Sequence, residues 1–295
     1  MAGNLTIGAL LAQGIERLRS GSGASSAARS ATSNLGATHS LDAELLLAHA
    51  LSMSRTQLKT HPENVPSHER ARRYTELVDR RAAGEPVAYI LGYRDFWTLR
   101  LVVNPAVLVP RPETELLVER ALVQGPSGPA RIADLGTGSG AIALALASER
   151  PAWAVVATDV SEDALGTARA NASMLGLGRV ELLKGRWFEP LAGRRFDLIA
   201  SNPPYVAEAD PALQDAALKH EPQIALAAGP DGMSALREIV HSAPHYLERR
   251  GWLLLEHGSD QAAAVARELV VRGFGHVRSH RDLAGHERMT EAQWN

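Results

Sequence analysis

Arg131-Ile-Ala-Asp134-Leu-Gly136-Thr-Gly138-Ser-Gly140, followed by Ala141-Ile-Ala-Leu-Ala-Leu-Ala-Ser-Glu149, decides how the chain folds. An apolar run of strand length stops at a glycine turn, and an alanine- and leucine-rich helix begins. The same alternation continues downstream. Strands are expected at 153–158, 179–183, 196–200 and 251–256, with helices at 161–175, 231–247 and 259–271. Ser161 supplies an N-cap for the first of these helices. The tail, 276–295, offers one or two closing strands. Strand and helix in turn are the mark of a parallel α/β sheet.

In such a sheet, ligands bind at the C-terminal edge of the strands. The turn after the first strand spaces its glycines G-x-G-x-G, not G-x-G-x-x-G as in the dinucleotide fingerprint. Asp134 stands just before it. An acid there repels phosphate but suits a ligand carrying an ammonium or sulfonium group. Asp159 ends the second strand, about 20 residues past the glycines, where an acid grips ribose hydroxyls. Together they point to a positively charged nucleoside, S-adenosylmethionine. Trp187 follows the third strand at the same edge, placed to pack against adenine.

The fourth strand runs into Asn202-Pro203-Pro204-Tyr205. Proline has no N–H for a ladder, so the strand must stop. The first proline also biases Asn202 toward extended backbone. The result is a stiff corner with an amide on one side and a phenol on the other. The Asn202 oxygen and the Pro203 carbonyl can accept both hydrogens of an incoming NH2 group. Tyr205 offers a flat face for a planar substrate.

The chain has 295 residues, a length that suggests about two domains. It has no cysteine, so disulfides, thiolate metal sites and cysteine nucleophiles are excluded. Net charge is −2, which leaves no basic footprint for long nucleic acid. No secretory leader, membrane span or metal site is expected. Before the sheet, helical periodicity appears at 6–19, from Ser40 (read as a cap), and at 67–83. Residues 21–33, rich in Gly, Ser and Ala, read as a loop or insertion. The expected division is a helical domain at 1–85, a hairpin-like bridge at 86–112 and a catalytic domain at 113–295. Short strands are expected in the bridge at 88–91, 95–97 and 99–103. Pro112, Glu113 and Glu115 suit the start of a following helix.

With these segments in order, the chain resembles the protein-(glutamine-N5) methyltransferases that act on peptide chain release factors. The likeness runs from about Ser40 to Arg288. It rests on L-D-A-E-L-L-L-A-H-A (41–50), G-E-P-V-A-Y-I-L-G with its following F-W (84–97), V-L-V-P-R-P-E-T-E (107–115), D-L-G-T-G-S-G, Asp159, the Trp187-Phe188 pair, N-P-P-Y, and E-P-Q-I-A-L-A-A-G-P-D-G (221–232).

The resemblance implies a Rossmann-like class I methyltransferase sheet with a small N-terminal helical domain. It implies S-adenosylmethionine at Gly136, Thr137, Gly138, Ser139, Gly140, Asp159, Trp187 and Asn202, and a substrate glutamine at Asn202, Pro203, Pro204 and Tyr205. Release factors are the implied partner, and a cytoplasmic monomer is expected. Arg186, Ala228 and His257 depart from the family pattern. The alternatives are an adenine-N6 methyltransferase, which uses a similar corner on a flipped base, and a non-catalytic module that merely binds the cofactor.

Overall fold

A computed structural model describes residues 5–21, 32–214 and 218–295. Two compact units divide the chain, Met1–Gly92 and Tyr93–Asn295. The first is helical: α1 (Ile7–Gly21), α2 (Thr32–Leu51), α3 (Arg55–Thr60), α4 (His68–Ala82) and α5 (Val87–Leu91). Ile7, Leu10, Leu46, Leu47 and Tyr74 are among the residues of its core. Ser67 caps α4 by accepting from the Arg70 amide. Ser40 does not act as the expected cap. Helix α2 already runs through it, since no proline between 32 and 51 forces a later start.

Residues 88–91 are also not a strand. The Tyr89 and Ile90 amides both donate to the Pro86 carbonyl, which starts a short helix, and Gly92 at φ 81° ends it. Four apolar residues in a row suit either structure, and Pro86 in front decides for the helix. Most of the Gly/Ser/Ala-rich stretch at 21–33 lies outside the described residues.

The second unit opens with a hairpin, β1 (Tyr93–Phe96) and β2 (Leu99–Val102). A 3-10 turn, Pro112–Thr114, leads into α6 (Glu115–Gln124). Then follow β3 (Ala130–Leu135), α7 (Ala141–Glu149), β4 (Trp153–Asp159), α8 (Glu162–Met174), β5 (Glu181–Lys184) and β6 (Phe196–Ser201). The chain continues with α9 (Ser234–Ser242), β7 (Leu247–Glu256), α10 (Ala262–Arg272), β8 (Phe274–Arg281) and β9 (Glu287–Trp294). The sheet has the order β5-β4-β3-β6-β7-β9-β8. Strands β3 to β7 are parallel, and the closing pair is antiparallel.

Side chains alternate along each central strand. Ile132, Leu198 and Leu254 join one core, with α6 and α7; Ala133, Ile199 and Leu253 join the other, with α9 and α10. Period-2 patterning therefore supplies both faces at once. The register does more. Leu135 pairs with Thr158 and with Ser201, Asp159 with Lys184, and Ser201 with Leu255. Gly136, Asp159, Gly185, Asn202 and Glu256 thus reach the sheet's C-terminal edge at nearly the same level. The chain switches direction across the sheet between β3 and β6, which is where such folds open a crevice.

Helix α6 is fastened to β9 by charge. Arg120 donates to both oxygens of Glu291, at 3.0 and 2.9 Å, and Gln124 adds a third bond at 2.9 Å. The Glu291 side chain is fully buried. Arg120→Ala leaves that carboxylate with only Gln124 and His280, at 2.9 and 3.1 Å, and is expected to destabilise the fold by about 3 kcal/mol, the lower end for a broken buried pair. Urea unfolding checks this. An Arg120→Met, Glu291→Leu pair should recover most of the loss, because both charges leave together. Among the described residues, no helix is long and apolar enough to cross a membrane.

Candidate active site

A cavity of about 350 Å³ opens at this sheet edge. That is within the range of small-molecule sites, about 300–1,000 Å³. Gly136, Gly138 and Ser139 line it from the glycine turn, Asp159 from the end of β4, Trp187 from beyond β5, and Asn202 with Pro204 from beyond β6. Thr137 also lines it.

The turn is held by the neighbouring strand, since the Gly136 and Thr137 amides both donate to the Thr158 carbonyl, at 2.9 and 3.0 Å. At Gly136, φ is 72° and a Cβ would come within 3.0 Å of the Trp187 ring. At Gly138, φ is 56° and a Cβ would meet nothing within 4 Å. That open space belongs to the cavity, so glycine there leaves room for a ligand to approach the backbone.

Asp159 accepts from the Gly138 amide on Oδ2 and from the Ser161 amide on Oδ1, each at 2.9 Å. Burial raises its pKa, and the Ser161 and Gly138 amides work against that rise. Each oxygen keeps a lone pair, which suits a ribose diol. Trp187 sits in the left-handed region at φ 47°, an uncommon place for an aromatic residue. Its carbonyl is pinned by the Thr158 hydroxyl at 2.9 Å. Arg186 beside it is paired with Glu238.

Asp134 is placed differently from expectation. It is fully buried beneath the turn and does not line the cavity. Its Oδ2 accepts from the Thr137 hydroxyl at 2.6 Å and the Ala143 amide at 3.1 Å, while Oδ1 has no partner. Burial pushes its carboxyl up to about 7, with those two bonds opposing. It braces the turn from below. Gly140, with φ 86°, likewise does not line the cavity and serves as the N-cap of α7.

The corner after β6 divides its labour. Asn202 Nδ2 donates to the Thr114 hydroxyl at 3.2 Å, and Asn202 Oδ1 is buried with no partner. Pro203 is buried, and neither Pro203 nor Tyr205 lines the cavity. The Tyr205 hydroxyl turns toward Glu256 Oε1 at 3.4 Å, and its carbonyl accepts from Gln261 at 3.0 Å. Tyr205 is thereby held at the corner through both its hydroxyl and its carbonyl. An acid, an aromatic wall, a glycine-lined gap and an orphaned amide oxygen fit a nucleoside whose reactive end lies near Asn202.

Comparison with known proteins agrees with this geometry. A release factor glutamine methyltransferase of Pseudomonas aeruginosa is 51% identical over 254 residues, covering 86% of this chain and 92% of that protein. The chain belongs to the release factor glutamine methyltransferase family. A family member from Escherichia coli K12 is 44% identical over 264 residues, covering 89% of this chain and 95% of its own. The family model for the PrmC N-terminal domain matches residues 26–92, and that for the methyltransferase small domain matches 112–224.

Solved structures of methyltransferases share the fold. The catalytic domain of hMettl16, in complex with an RNA hairpin, aligns at a TM-score of 0.56 and 18% identity over 75% of this chain and 82% of its own. A T. thermophilus 16S rRNA methyltransferase, in complex with AdoMet and guanosine, aligns at 0.51 and 18% over 69% of this chain and 50% of its own. These matches show that the chain shares the fold of these methyltransferases.

Three site residues of this family member were not singled out for a role in the sequence. Thr114 holds Asn202, and Glu256 faces Tyr205. Glu221 accepts from Arg111 at 2.6 Å and from the Val109 amide at 3.1 Å, which ties the loop beyond the corner to the cavity wall. Glu256 had a visible signal: an acid ending an apolar strand at the ligand edge.

Proposed function

We propose that this enzyme methylates the side-chain amide nitrogen of the glutamine in the Gly-Gly-Gln motif of a peptide chain release factor. The observation that carries this reading is the orphaned Asn202 Oδ1 at the cavity, with Nδ2 already committed to Thr114. A buried acceptor without a partner is costly and calls for a donor to complete it. A glutamine NH2 group supplies one. When bound, S-adenosylmethionine supplies an electrophilic methyl group on its sulfonium.

Asn202 Oδ1 and the Pro203 carbonyl accept the two amide hydrogens and point the nitrogen into the cavity. A glutamine nitrogen is a weak nucleophile because its lone pair is shared with its carbonyl. Two acceptors on its hydrogens support the positive charge that grows there as its bond to carbon forms. The extra proton leaves afterwards, so no residue is assigned as a general base. Asn at 202 performs this without a charge that would need desolvating. Alignment of the two reactants can contribute up to about 7–11 kcal/mol.

The helical unit is assigned to recognition of the folded release factor, and the catalytic unit to methyl transfer. On the same reading the protein works as a cytoplasmic monomer with no stable nucleic-acid complex, in keeping with its net charge of −2. Mass spectrometry of a release factor treated with enzyme and S-adenosylmethionine tests the proposal. One added methyl on the Gly-Gly-Gln glutamine is expected. Methyl transfer to duplex DNA instead, or to another residue, would contradict it and favour the adenine-N6 alternative.

A further inference from the structure

We propose that Arg111 binds the carboxylate of the cofactor's methionine moiety. S-adenosylmethionine carries a sulfonium, an ammonium and one carboxylate. A carboxylate that enters a protein cavity needs a cation or several donors to replace its water. Among the described residues that line the cavity, three are charged: Arg111, Asp159 and Arg186. Asp159 is itself an acid and accepts from two backbone amides. The choice lies between the two arginines.

Their neighbours differ. Arg186 adjoins Trp187 at the aromatic wall, with its guanidinium carbon 5.5 Å from the centre of a Trp187 ring. Its Nε and Nη2 both donate to Glu238, at 3.0 and 2.6 Å. Arg111 instead opens the Pro112–Thr114 turn, and the Thr114 hydroxyl accepts from Asn202 Nδ2 at 3.2 Å. The inference rests on Asn202 marking the end at which methyl transfer occurs. In the cofactor, the sulfonium joins the nucleoside to the amino acid. The carboxylate therefore lies past the reacting centre, on the side away from adenine, where Arg111 is the cation.

Arg111 is also held ready for a second anion. Pro110 and Pro112 flank it and restrict the backbone on both sides. Its Nη2 donates to Glu221 at 2.6 Å, and the other Glu221 oxygen accepts from the Val109 amide at 3.1 Å. The Glu221 side chain is 1% exposed and that of Arg111 is 34% exposed. One guanidinium nitrogen is thus anchored to a buried acid. Nε and Nη1 have no hydrogen-bond partner among the described residues. A guanidinium has five N–H donors in a fixed plane, so donors remain for a carboxylate. Because the anchor already orders the side chain, the ligand does not bear that entropy cost.

The test is calorimetric titration of S-adenosylhomocysteine and of its decarboxylated analogue, which keeps the amino group. The native protein should bind the first about 10–100-fold more tightly, the worth of a hydrogen bond to a charged group. Arg111→Met should lose that factor for S-adenosylhomocysteine and leave the affinity for the analogue where it was. The preference between the two ligands then falls towards one, and unchanged binding of the analogue shows that the cavity is intact. Arg111→Lys should keep part of the preference. Because Arg111→Met leaves the buried Glu221 carboxylate with the Val109 amide alone, the double variant Arg111→Met, Glu221→Gln is measured beside it. That pair removes the charge, keeps an oxygen for the amide, and should show the same collapse.

Equal native affinity for the two ligands, or a native preference that survives in the methionine variants, would overturn the inference. A surviving preference with a raised KM for the release factor would give the guanidinium to the protein substrate instead. The titration contains no release factor, so its failure and the failure of the glutamine reading are told apart by separate experiments.

Discussion

Asn202→Ala is expected to slow methyl transfer by at least about 10²–10³-fold, the loss seen when one preorganised polar group is removed from a reacting centre. The cavity otherwise survives the change. Gly138, Asp159 and Trp187 sit at the ends of other strands or just past them and keep their own bonds to the backbone around them. Cofactor affinity should therefore move far less than the rate. Single-turnover kinetics and calorimetric titration of S-adenosylmethionine separate the two quantities. Near-native single-turnover rates in the variant would remove Asn202 from the reaction.

Gly136→Val is expected to act in the opposite way, on binding before chemistry. The position has φ 72°, a conformation that a β-branched residue adopts at a cost of roughly 1–2 kcal/mol. Its new Cβ would also lie 3.0 Å from the Trp187 ring, so the aromatic wall must shift. Wall and turn are two sides of one cavity, and moving both should weaken cofactor binding by at least about 100-fold, close to 3 kcal/mol. Gly128→Ala is the control. That glycine has no neighbour within 4 Å of an added Cβ and no positive φ. Equal cofactor affinity in Gly136→Val and native protein would show that the turn does not shape the site.

The sheet was legible because its strands are apolar runs of strand length between helices of clear period. Strand β3, helix α7 and strand β6 fall within a residue of expectation. Where local signals were ambiguous, they misled. Residues 88–91 suit strand and helix equally, and Pro86 settled the matter. Ser40 has the chemistry of a cap, yet helix α2 had begun earlier. That Asp159, Trp187 and Asn202 line the cavity was readable because Asp159 ends a strand and the other two follow strands at that edge.

The partners that orient these residues were harder to see. Thr114 meets Asn202 across 88 positions, and Arg111 meets Glu221 across 110. No periodicity encodes such pairs. Asp134 shows the other limit: spacing placed an acid next to the glycine turn but could not say that it is fully buried and bonded to Thr137 and Ala143.

A structure of the enzyme with S-adenosylhomocysteine and a glutamine peptide from a release factor tests the proposed grip most directly. The account predicts the glutamine nitrogen about 2.7–3.2 Å from both Asn202 Oδ1 and the Pro203 carbonyl, a normal hydrogen-bond distance. A glutamine nitrogen bound elsewhere, with Asn202 Oδ1 still unpartnered, would contradict it.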